Sequence, residues 1–409
     1  MRNNILSLNN NNNIDIERRP NKFYIEALSL KNFRNHNNLN LITSKSSLLI
    51  YGDNGCGKTN VLEAISLLSQ GRGLRKAKVE DYLCQNELIE GNTKFWGVNA
   101  EYTSPEGKTN IGTGTRENLQ SKSRVVRINS ENCSQIELGK LLKMSWITPQ
   151  MCILFQSGMN ERRRFIDRLT YSLDSLHISR VYKYEKLLRQ RSNIILQSDI
   201  DNTWLSTVEN QIAELSVSIV ASRLDLTQSL NNLFDQEQKE KVTIHNFPPV
   251  KINLKGEIEN LLQNKPALEV EDYVKSTLKK SRFSEGFPFC GPHNTKIEIF
   301  NCQNNKNVDF ASTGEQKLIL ISIILSHARM INFKFNLAPI LLLDDIVEHL
   351  DEKHRKALFL EVTRHCAQSW FTSTSKSAFE DYPDKIDKIY LPAVMKDFKG
   401  YYDYKNGEI

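Results

Sequence analysis

Long apolar runs are missing from this chain of 409 residues, and the N-terminal stretch lacks the continuous apolar core of a signal peptide. Without about 18 consecutive apolar residues we expect no transmembrane helix and no membrane partner. Paired cysteines are missing too, because the seven cysteines are scattered and none forms a CxxC pair. This pattern disfavours a zinc site or a disulfide framework and predicts a cytoplasmic protein.

Glycine and proline are absent between Met159 and Phe247. Because these two residues interrupt helices, their absence favours a long helical segment. Apolar residues recur within this segment mostly at spacings of three and four, the period of one helix face: Trp204, Val208, Ile212, Leu215, Ile219, Leu226, Leu230 and Leu233. We therefore predict a mainly helical lobe over residues 151–247.

The segments on either side of this lobe have strand-like patterns. Residues 23–50 alternate apolar and polar side chains around an asparagine-rich turn, and "LAPILLLDDIVEHLDEKHRKALFLEV" predicts a buried strand, a turn and a helix. We predict one α/β unit built from residues 23–150 and 248–409, with the lobe inserted between them. The asparagine-rich residues 1–21 are predicted to be a disordered tail.

Residues 52–59 read "GDNGCGKT", directly after the apolar run "SSLLIY" and before a helix-like stretch. They match the P-loop pattern Gly52-x4-Gly57-Lys58-Thr59. In such a loop the glycines turn backbone N–H groups toward an anion, the lysine reaches the β- and γ-phosphates, and the hydroxyl binds Mg²⁺. A chance glycine turn is the alternative, but the strand before the loop and the helix after it favour a nucleoside triphosphate.

The stretch "ILLLDD" at residues 340–345 places two carboxylates at the end of an apolar strand. We expect Asp344 to hold Mg²⁺ and Asp345 to orient the attacking water. An ordinary buried strand with a capping aspartate is the alternative. The P-loop in the same chain favours the magnesium site.

The stretch "STGEQK" at residues 312–317 precedes the apolar run "LILISIILSHARMI". Ser312 or Thr313 can cap the helix that this run predicts, which leaves free N–H groups at a positive helix end. Taken alone, the stretch is best interpreted as a simple helix cap.

The order of P-loop, helical insert, "STGEQK" and a strand ending in two aspartates resembles the SMC-type branch of the ABC ATPases. More closely, the chain resembles the RecF family of bacterial recombinational repair proteins. The resemblance runs from Phe23 to the C-terminal region, through "LSLKNFRNH", "GDNGCGKTNVLEAISLLSQGRGLR", "WITPQM", "RRRFIDRL", "YEKLLRQRSNIIL", "GPH" and "PILLLDDIVEHLD". It implies an α/β fold, an ABC/SMC-type P-loop ATPase head with an inserted mainly helical lobe.

The resemblance also implies roles for individual residues. Lys58, Asp345 and Gln150 would be catalytic, with Gln150 of "TPQM" sensing Mg²⁺ and the γ-phosphate, and Thr59 and Asp344 would hold the metal. The remaining positions would bind ATP: Gly52, Asp53, Asn54, Gly55, Cys56, Gly57, Lys58, Thr59 and the adjoining Asn60 in the P-loop, Ser312, Gly314 and Gln316 in the signature, and Asp351 in the loop that crosses a dimer.

Basic residues cluster in "GRGLRKAK" and "ERRRF", and the net charge of +6 with a pI near 8.8 permits a polyanionic partner. Arg72, Arg75 and Lys76 are candidates for contact with DNA phosphates, with a solvated surface as the alternative. No helix-turn-helix or zinc-finger pattern is present, so we expect DNA binding without sequence specificity.

The resemblance implies a weak ATPase that works as a conformational switch with ATP and Mg²⁺. It would form an ATP-dependent homodimer on duplex or gapped DNA, maintain replication forks, and promote RecA loading with RecO- and RecR-type mediators. The alternatives are the nucleotide-binding subunit of an ABC transporter and another P-loop NTPase. The transporter is disfavoured because "FTSTS" has no histidine where transporter ATPases carry their switch histidine. The stretch "GPHNTK" departs from the family pattern, in which basic and acidic residues follow "GPH".

Overall fold

The computed structural model describes residues 23–43, 47–84, 95–116, 123–197, 199–239, 246–282, 289–380 and 386–392. The predicted tail over residues 1–21 and the segment after residue 392 lie outside these residues. The described strands are β1 (Tyr24–Phe33), β2 (His36–Ile42), β3 (Ser47–Tyr51), β4 (Gly97–Ser104), β5 (Gly107–Gly114), β6 (Val125–Ile128), β7 (Glu131–Cys133), β8 (Met144–Ile147), β9 (Val250–Lys255), β10 (Lys296–Asn301), β11 (Lys306–Asn307), β12 (Ile340–Leu343), β13 (Gln368–Ser373) and β14 (Asp387–Tyr390).

The described helices are α1 (Lys58–Ser66), α2 (Gln135–Leu141), α3 (Met159–Leu173), α4 (His177–Ile195), α5 (Asn202–Lys239), α6 (Glu257–Leu262), α7 (Ala267–Lys280), α8 (Thr313–Phe335) and α9 (Glu352–His365). Short 3₁₀ turns join several of these elements. The predicted helix after the P-loop and the predicted strand, turn and helix around "ILLLDD" are confirmed as α1, β12 and α9.

A parallel sheet with the strand order β14-β3-β13-β12-β8 carries the two predicted nucleotide motifs. All four residues of β12 and of β8 are buried, as expected for strands that are covered on both faces. Leu341 and Leu343 of β12 belong to one core with α8, while Ile340 and Leu342 belong to a second core with α1. The carboxyl ends of these strands meet at one edge of the sheet, where ligands of open α/β sheets bind.

An antiparallel sheet with the strand order β2-β1-β4-β5-β6-β7 packs on the α1 side of the parallel sheet. Ile25, Leu28 and Leu30 of β1 are buried in the same core as α1. The turn between β1 and β2 thereby comes to lie beside the P-loop, which the hydrogen bonds described below demonstrate.

The helical part of the chain forms a third core around α4, α5 and α7. Its buried residues run from Tyr184 on α4 to Cys290, so this core uses residues on both sides of position 247. A third sheet has the strand order β11-β10-β9, and Val250 of β9 shares one core with Leu226 of α5 and Ile319 of α8.

Helix α8 is the one described helix that is long and apolar enough to cross a membrane by length and composition, with a mean hydropathy of 1.5 over its most apolar window. In the folded chain 72% of that window is buried. Its apolar residues lie in the core that also contains Leu341 and Leu343 of β12. Burial inside the protein therefore explains why this helix is so apolar.

Candidate nucleotide-binding site

The P-loop connects β3 to α1 at the carboxyl edge of the parallel sheet. Gly57 is the residue before the helix and has a φ of 104°, a left-handed conformation that favours glycine. Helix α1 then begins at Lys58, whose buried Nζ donates to Gly52 O at 2.7 Å and to Asp53 O at 3.0 Å. The lysine therefore closes the loop on itself, with its ammonium held at the centre of the glycine turn.

The turn between β1 and β2 supports this loop from outside. His36 Nε2 lies 3.2 Å from Gly57 O, and Asn35 Nδ2 donates to Gly55 O at 3.4 Å. Burial lowers the pKa of His36, so its imidazole is neutral at pH 7. Asn35 Oδ1 also accepts a hydrogen bond from Asn60 Nδ2 at 2.7 Å. A Cβ at Gly57 would lie 2.5 Å from His36 Nε2, so the support also requires a glycine at this position.

Four polar groups from three different segments meet between β3 and β12. Thr59 Oγ1 and Thr372 Oγ1 both donate to Asp344 Oδ1, at 2.8 Å and 2.9 Å. Thr372 Oγ1 also accepts a hydrogen bond from the backbone N–H of Asp345 at 2.9 Å. Because β13 lies between β3 and β12 in the sheet, Thr372 at its end bridges the two motifs.

Asp345 has an unusual environment for a carboxylate. Its φ is 49°, and its Oδ1 is buried without a hydrogen-bond partner among the described residues. Burial raises the pKa of Asp345, the nearby charge of Asp344 raises it further, and the charge of Lys58 acts in the opposite direction. An unpaired carboxylate oxygen with a raised pKa beside a lysine is suited to accepting a hydrogen bond from a water or a substrate group.

Gln150 lies in the 3₁₀ turn Pro149–Ile153, directly after β8. Strand β8 pairs with β12 in parallel register, with Ile147 opposite Leu343, and Asp344 N donates to Ile147 O at 3.0 Å. The exposed Gln150 therefore follows a strand end that is hydrogen-bonded to the Asp344 backbone. The sheet brings Lys58, Thr59, Asp344, Asp345 and Gln150 to one edge.

The residues at this edge fit a magnesium nucleotide. A hydroxyl and a carboxylate oxygen, Thr59 Oγ1 and Asp344 Oδ1, lie within 2.8 Å of each other, and both are oxygen ligands that Mg²⁺ accepts. The described residues contain no group of three or more His, Cys, Asp and Glu side chains that could hold a metal. A Mg²⁺ ion at this edge would therefore need phosphate oxygens and waters, which is how it is usually bound with nucleotides.

Of the two residues that the sequence offered as a cap for α8, Ser312 is the one that caps it, and Thr313 is the first residue of the helix. Its hydroxyl accepts from the backbone N–H of Glu315, and Glu315 Oε2 accepts from the backbone N–H of Ser312 at 2.7 Å, which completes a capping box. Ser312 and Gly314 are exposed, and a Cβ at Gly314 would meet no atom within 4 Å. The start of α8 is thus an open positive helix end on the surface.

Gln316 and Asp351 are placed differently from the other predicted ATP contacts. Gln316 is buried, and its Nε2 donates to Val308 O at 3.0 Å and to Ala311 O at 3.2 Å. This amide holds the segment before Ser312 and does not lie at the exposed tip. Asp351 is exposed and caps α9 by accepting from His354 N at 2.8 Å.

Comparison with known proteins identifies the family. Residues 24–396 match the family described as RecF/RecN/SMC N terminal domain. The chain is 35% identical over 364 residues to the DNA replication and repair protein RecF of Rhizobium rhizogenes, which covers 88% of this chain and 94% of that protein. It is 36% identical to the RecF of Brucella suis, over 89% of this chain and 94% of that one. The chain belongs to the RecF family.

Solved structures agree with the predicted fold. The recombination mediator protein RecF-ATPrS in the RecFOR pathway superimposes with a TM-score of 0.75 at 22% identity, over 88% of this chain and 95% of that chain. An SMC head bound to the C-winged helix domain of ScpA has a TM-score of 0.50 at 16% identity, over 91% of this chain and 96% of that chain. The predicted ABC/SMC-type ATPase head fold is therefore confirmed.

Two of the three basic residues that charge clustering suggested for DNA contact have carboxylate partners within the chain. Arg75 Nη1 donates to Asn60 Oδ1 at 2.7 Å and lies 3.2 Å from Glu63 Oε2. Lys76 Nζ lies 3.4 Å from Glu161 Oε2, and both side chains are exposed. Arg72 is exposed without a described ion pair. Of the three, Arg72 presents the least neutralised charge.

Several residues at this edge of the sheet were not assigned a role from the sequence. Thr372, Asn35 and His36 contact the two motifs, and Arg34 donates twice to the buried Glu63 of α1, with both distances 2.8 Å. Asn35 and His36 lie in the stretch "LSLKNFRNH", so the family resemblance contained a signal for them. Thr372 lies in "FTSTS", where only the pairing of β13 with β12 reveals its contact.

Proposed function

We propose that the carboxyl edge of the parallel sheet binds ATP with Mg²⁺ and that the chain uses ATP as a switch for DNA repair. The observation that carries the proposal is the contact of Thr59 with Asp344, which joins the P-loop to the aspartate pair at 2.8 Å. RecF family membership and the ATP-type ligands named for two solved RecF structures support it.

Each residue at this edge has a defined task in the proposal. Lys58 exchanges its two backbone carbonyl acceptors for phosphate oxygens, since an ammonium prefers charged acceptors. Thr59 and Asp344 hold Mg²⁺, which neutralises charge on the phosphates. Asp345 accepts a hydrogen bond from the attacking water with its unpaired Oδ1, and Gln150 follows the neighbouring strand within reach of the same edge.

The second half of the site comes from another copy of the chain. Ser312 and Gly314 present an exposed helix N-terminus, and such a helix end attracts phosphate. ATP therefore joins two chains in a homodimer, with Asp351 at the contact between them. ATP hydrolysis is slow and separates the two chains, so ATP turnover determines how long the homodimer lasts.

The biological setting follows from the family. We propose that the dimer binds duplex or gapped DNA without sequence preference, in the cytoplasm, at damaged or stalled replication sites. It would act with RecO- and RecR-type mediators to promote loading of RecA. The relatives are named DNA replication and repair proteins, and two solved structures are assigned to the RecFOR pathway, which supports this setting.

A mixing experiment tests the composite site. Lys58→Ala removes the main charge for phosphate, and Ser312→Arg places bulk and charge at the exposed helix end. Each variant alone is expected to lose ATPase activity, while Ser312→Arg still binds ATP as a monomer. A mixed dimer pairs the intact P-loop of one chain with the intact helix end of the other, so mixing should restore part of the activity. No recovery at any ratio would contradict the shared site.

A further inference from the structure

Helix α4 is the most basic helix of the lobe. It carries five lysines and arginines and one glutamate, a formal net charge of +4, against +6 for the whole chain. Two of the five cations are paired: Arg180 with Asp174, and Arg191 with the buried Glu209. The remaining cations, Lys183, Lys186 and Arg189, have no carboxylate within ion-pair distance among the described residues.

The unpaired cations of α4 point away from the core. Tyr182, Lys186 and Arg189 are spaced as i, i+4 and i+7, so they share one helix face, and Lys183 lies at its edge. Tyr184 and Leu187 are buried in the third core on the opposite side. Lys183, Lys186 and Arg189 are exposed, and Tyr182 among them is 66% exposed.

This face continues the surface that contains Arg72. Gln70 Nε2 donates to Ser175 O at 2.9 Å, and a Cβ at Gly71 would lie 3.4 Å from Ile178 Cδ1. The loop with Arg72 therefore touches the first turn of α4. From Ile178 to Arg189 the helix extends about 16 Å. One strand of duplex DNA advances by about 3.4 Å per nucleotide, so this length matches about five nucleotides.

We propose that the exposed face of α4, defined by Lys183, Lys186 and Arg189, binds the sugar–phosphate backbone of DNA together with Arg72. When unpaired cations neutralise DNA phosphates, the counterions condensed on the DNA are released, which favours binding. Arg75 and Lys76 are less suited to this role because they already have carboxylate partners. The exposed Tyr182 hydroxyl provides a donor for a further phosphate oxygen. This inference rests on the proposed ATP-dependent DNA binding and assigns its contact surface.

The test compares DNA affinity at several salt concentrations, with the full chain, ATP, Mg²⁺ and a labelled duplex oligonucleotide, by fluorescence anisotropy. The variant Lys183→Gln/Lys186→Gln/Arg189→Gln should lower the slope of log K against log salt by about 2 to 3, since each phosphate contact contributes about 0.9. The affinity at moderate salt should fall by about tenfold or more. ATP binding should be unchanged, because these residues lie outside the nucleotide edge.

The matched control removes the same charge from another helix of the third core. Lys265, Lys279 and Lys280 are exposed at α7 and its preceding turn, and they have no ion pair among the described residues. Their triple change to Gln should alter the slope much less. Glu185→Gln, which removes the single acid of α4, should strengthen DNA binding a few-fold.

The outcomes separate the two proposals. If the unmodified chain with ATP shows no DNA binding, the proposed function fails and the α4 surface fails with it. If the unmodified chain binds DNA and the α4 variant keeps the same slope and affinity, only the α4 assignment is overturned. Equal losses in the α4 and α7 variants would also overturn it, because general charge would then explain the effect.

Discussion

Thr59 Oγ1 lies 2.8 Å from Asp344 Oδ1, although the two residues are separated by 285 positions. Thr372 donates to the same oxygen from the strand between them. The relation of P-loop and aspartate pair is thus present in the single folded chain. The contact between the two motifs depends on the hydrogen bonds that Thr59 and Thr372 donate to Asp344. Substitutions at this edge should change the stability of the fold and the ATPase rate to different extents.

Asp345→Asn should keep ATP binding and lower the ATPase rate by about 100-fold or more. A neutral amide cannot accept a proton from the attacking water as a carboxylate can. Gel filtration with ATP should show a dimer that persists much longer than that of the unmodified chain. A variant that stays monomeric at saturating ATP would contradict the role of Asp345 in hydrolysis and assign it to binding.

The same substitution should affect stability in a pH-dependent way. The pKa of Asp345 is raised in the folded chain, so its charged form opposes folding, and this cost is absent at acid pH and appears as the pH rises through the folded pKa. Asp345→Asn should therefore raise Tm at pH 7, and the gain should shrink toward pH 4. A gain that is constant with pH would show that the carboxylate charge is not its cause.

Thr372→Val should weaken both motifs at once. The change keeps the shape of the side chain but removes the donor to Asp344 and the acceptor for Asp345 N–H. We expect a loss of about 1 to 3 kcal/mol in the free energy of unfolding, since a buried N–H is left without a partner. ATPase activity should fall as well, and Thr372→Ser should restore both properties. If Ser and Val variants behave alike, the hydroxyl bridge is unimportant.

Arg34 and Arg75 both contact the buried Glu63, and we expect their replacement to cost different amounts of unfolding free energy. Arg34 donates to Glu63 twice at 2.8 Å, whereas Arg75 makes one contact at 3.2 Å and is 33% exposed. Arg34→Met should cost about 3 kcal/mol in urea unfolding, because the carboxylate loses its main partner, and Arg75→Met about 1 kcal/mol or less. Equal costs would mean that both arginines neutralise Glu63 to the same extent.

Protonation of the buried His327 should make the fold less stable at acid pH. Burial lowers its pKa from 6.5 to about 4, and its ring contacts Ser145, Ser172 and Leu169 O. Its contribution is fully present above pH 6.5 and is lost as the pH falls toward 4, by up to about 3 kcal/mol. His327→Gln should therefore flatten the dependence of Tm on pH in this window, while His365, with a pKa lowered to about 3, maintains part of it. An unchanged slope would exclude His327 as a cause.

The sequence predicted those features that depend on neighbouring residues. The P-loop, the strand ending in Asp344 and the cap at Ser312 each lie within a few positions, so pattern and residue type were sufficient. Thr372 and Asn35 act through strand pairing and a turn contact over long separations, which spacing cannot reveal. The pairing of Arg75 with Glu63 likewise becomes visible only in the folded structure. A run of basic residues in the sequence does not show which carboxylates lie next to it.

The strand before the P-loop has both of its sheet partners late in the chain. β3 ends at Tyr51 and pairs with β13 (Gln368–Ser373) on one side and β14 (Asp387–Tyr390) on the other. During synthesis the nascent chain must therefore wait for about 300 further residues, roughly 15 to 60 s at the usual rate of translation, before this strand can be paired. A ribosome-bound or prematurely terminated chain that ends before β13 lacks both neighbours of β3 and cannot assemble the nucleotide edge. Nucleotide capture thereby distinguishes finished chains from unfinished ones.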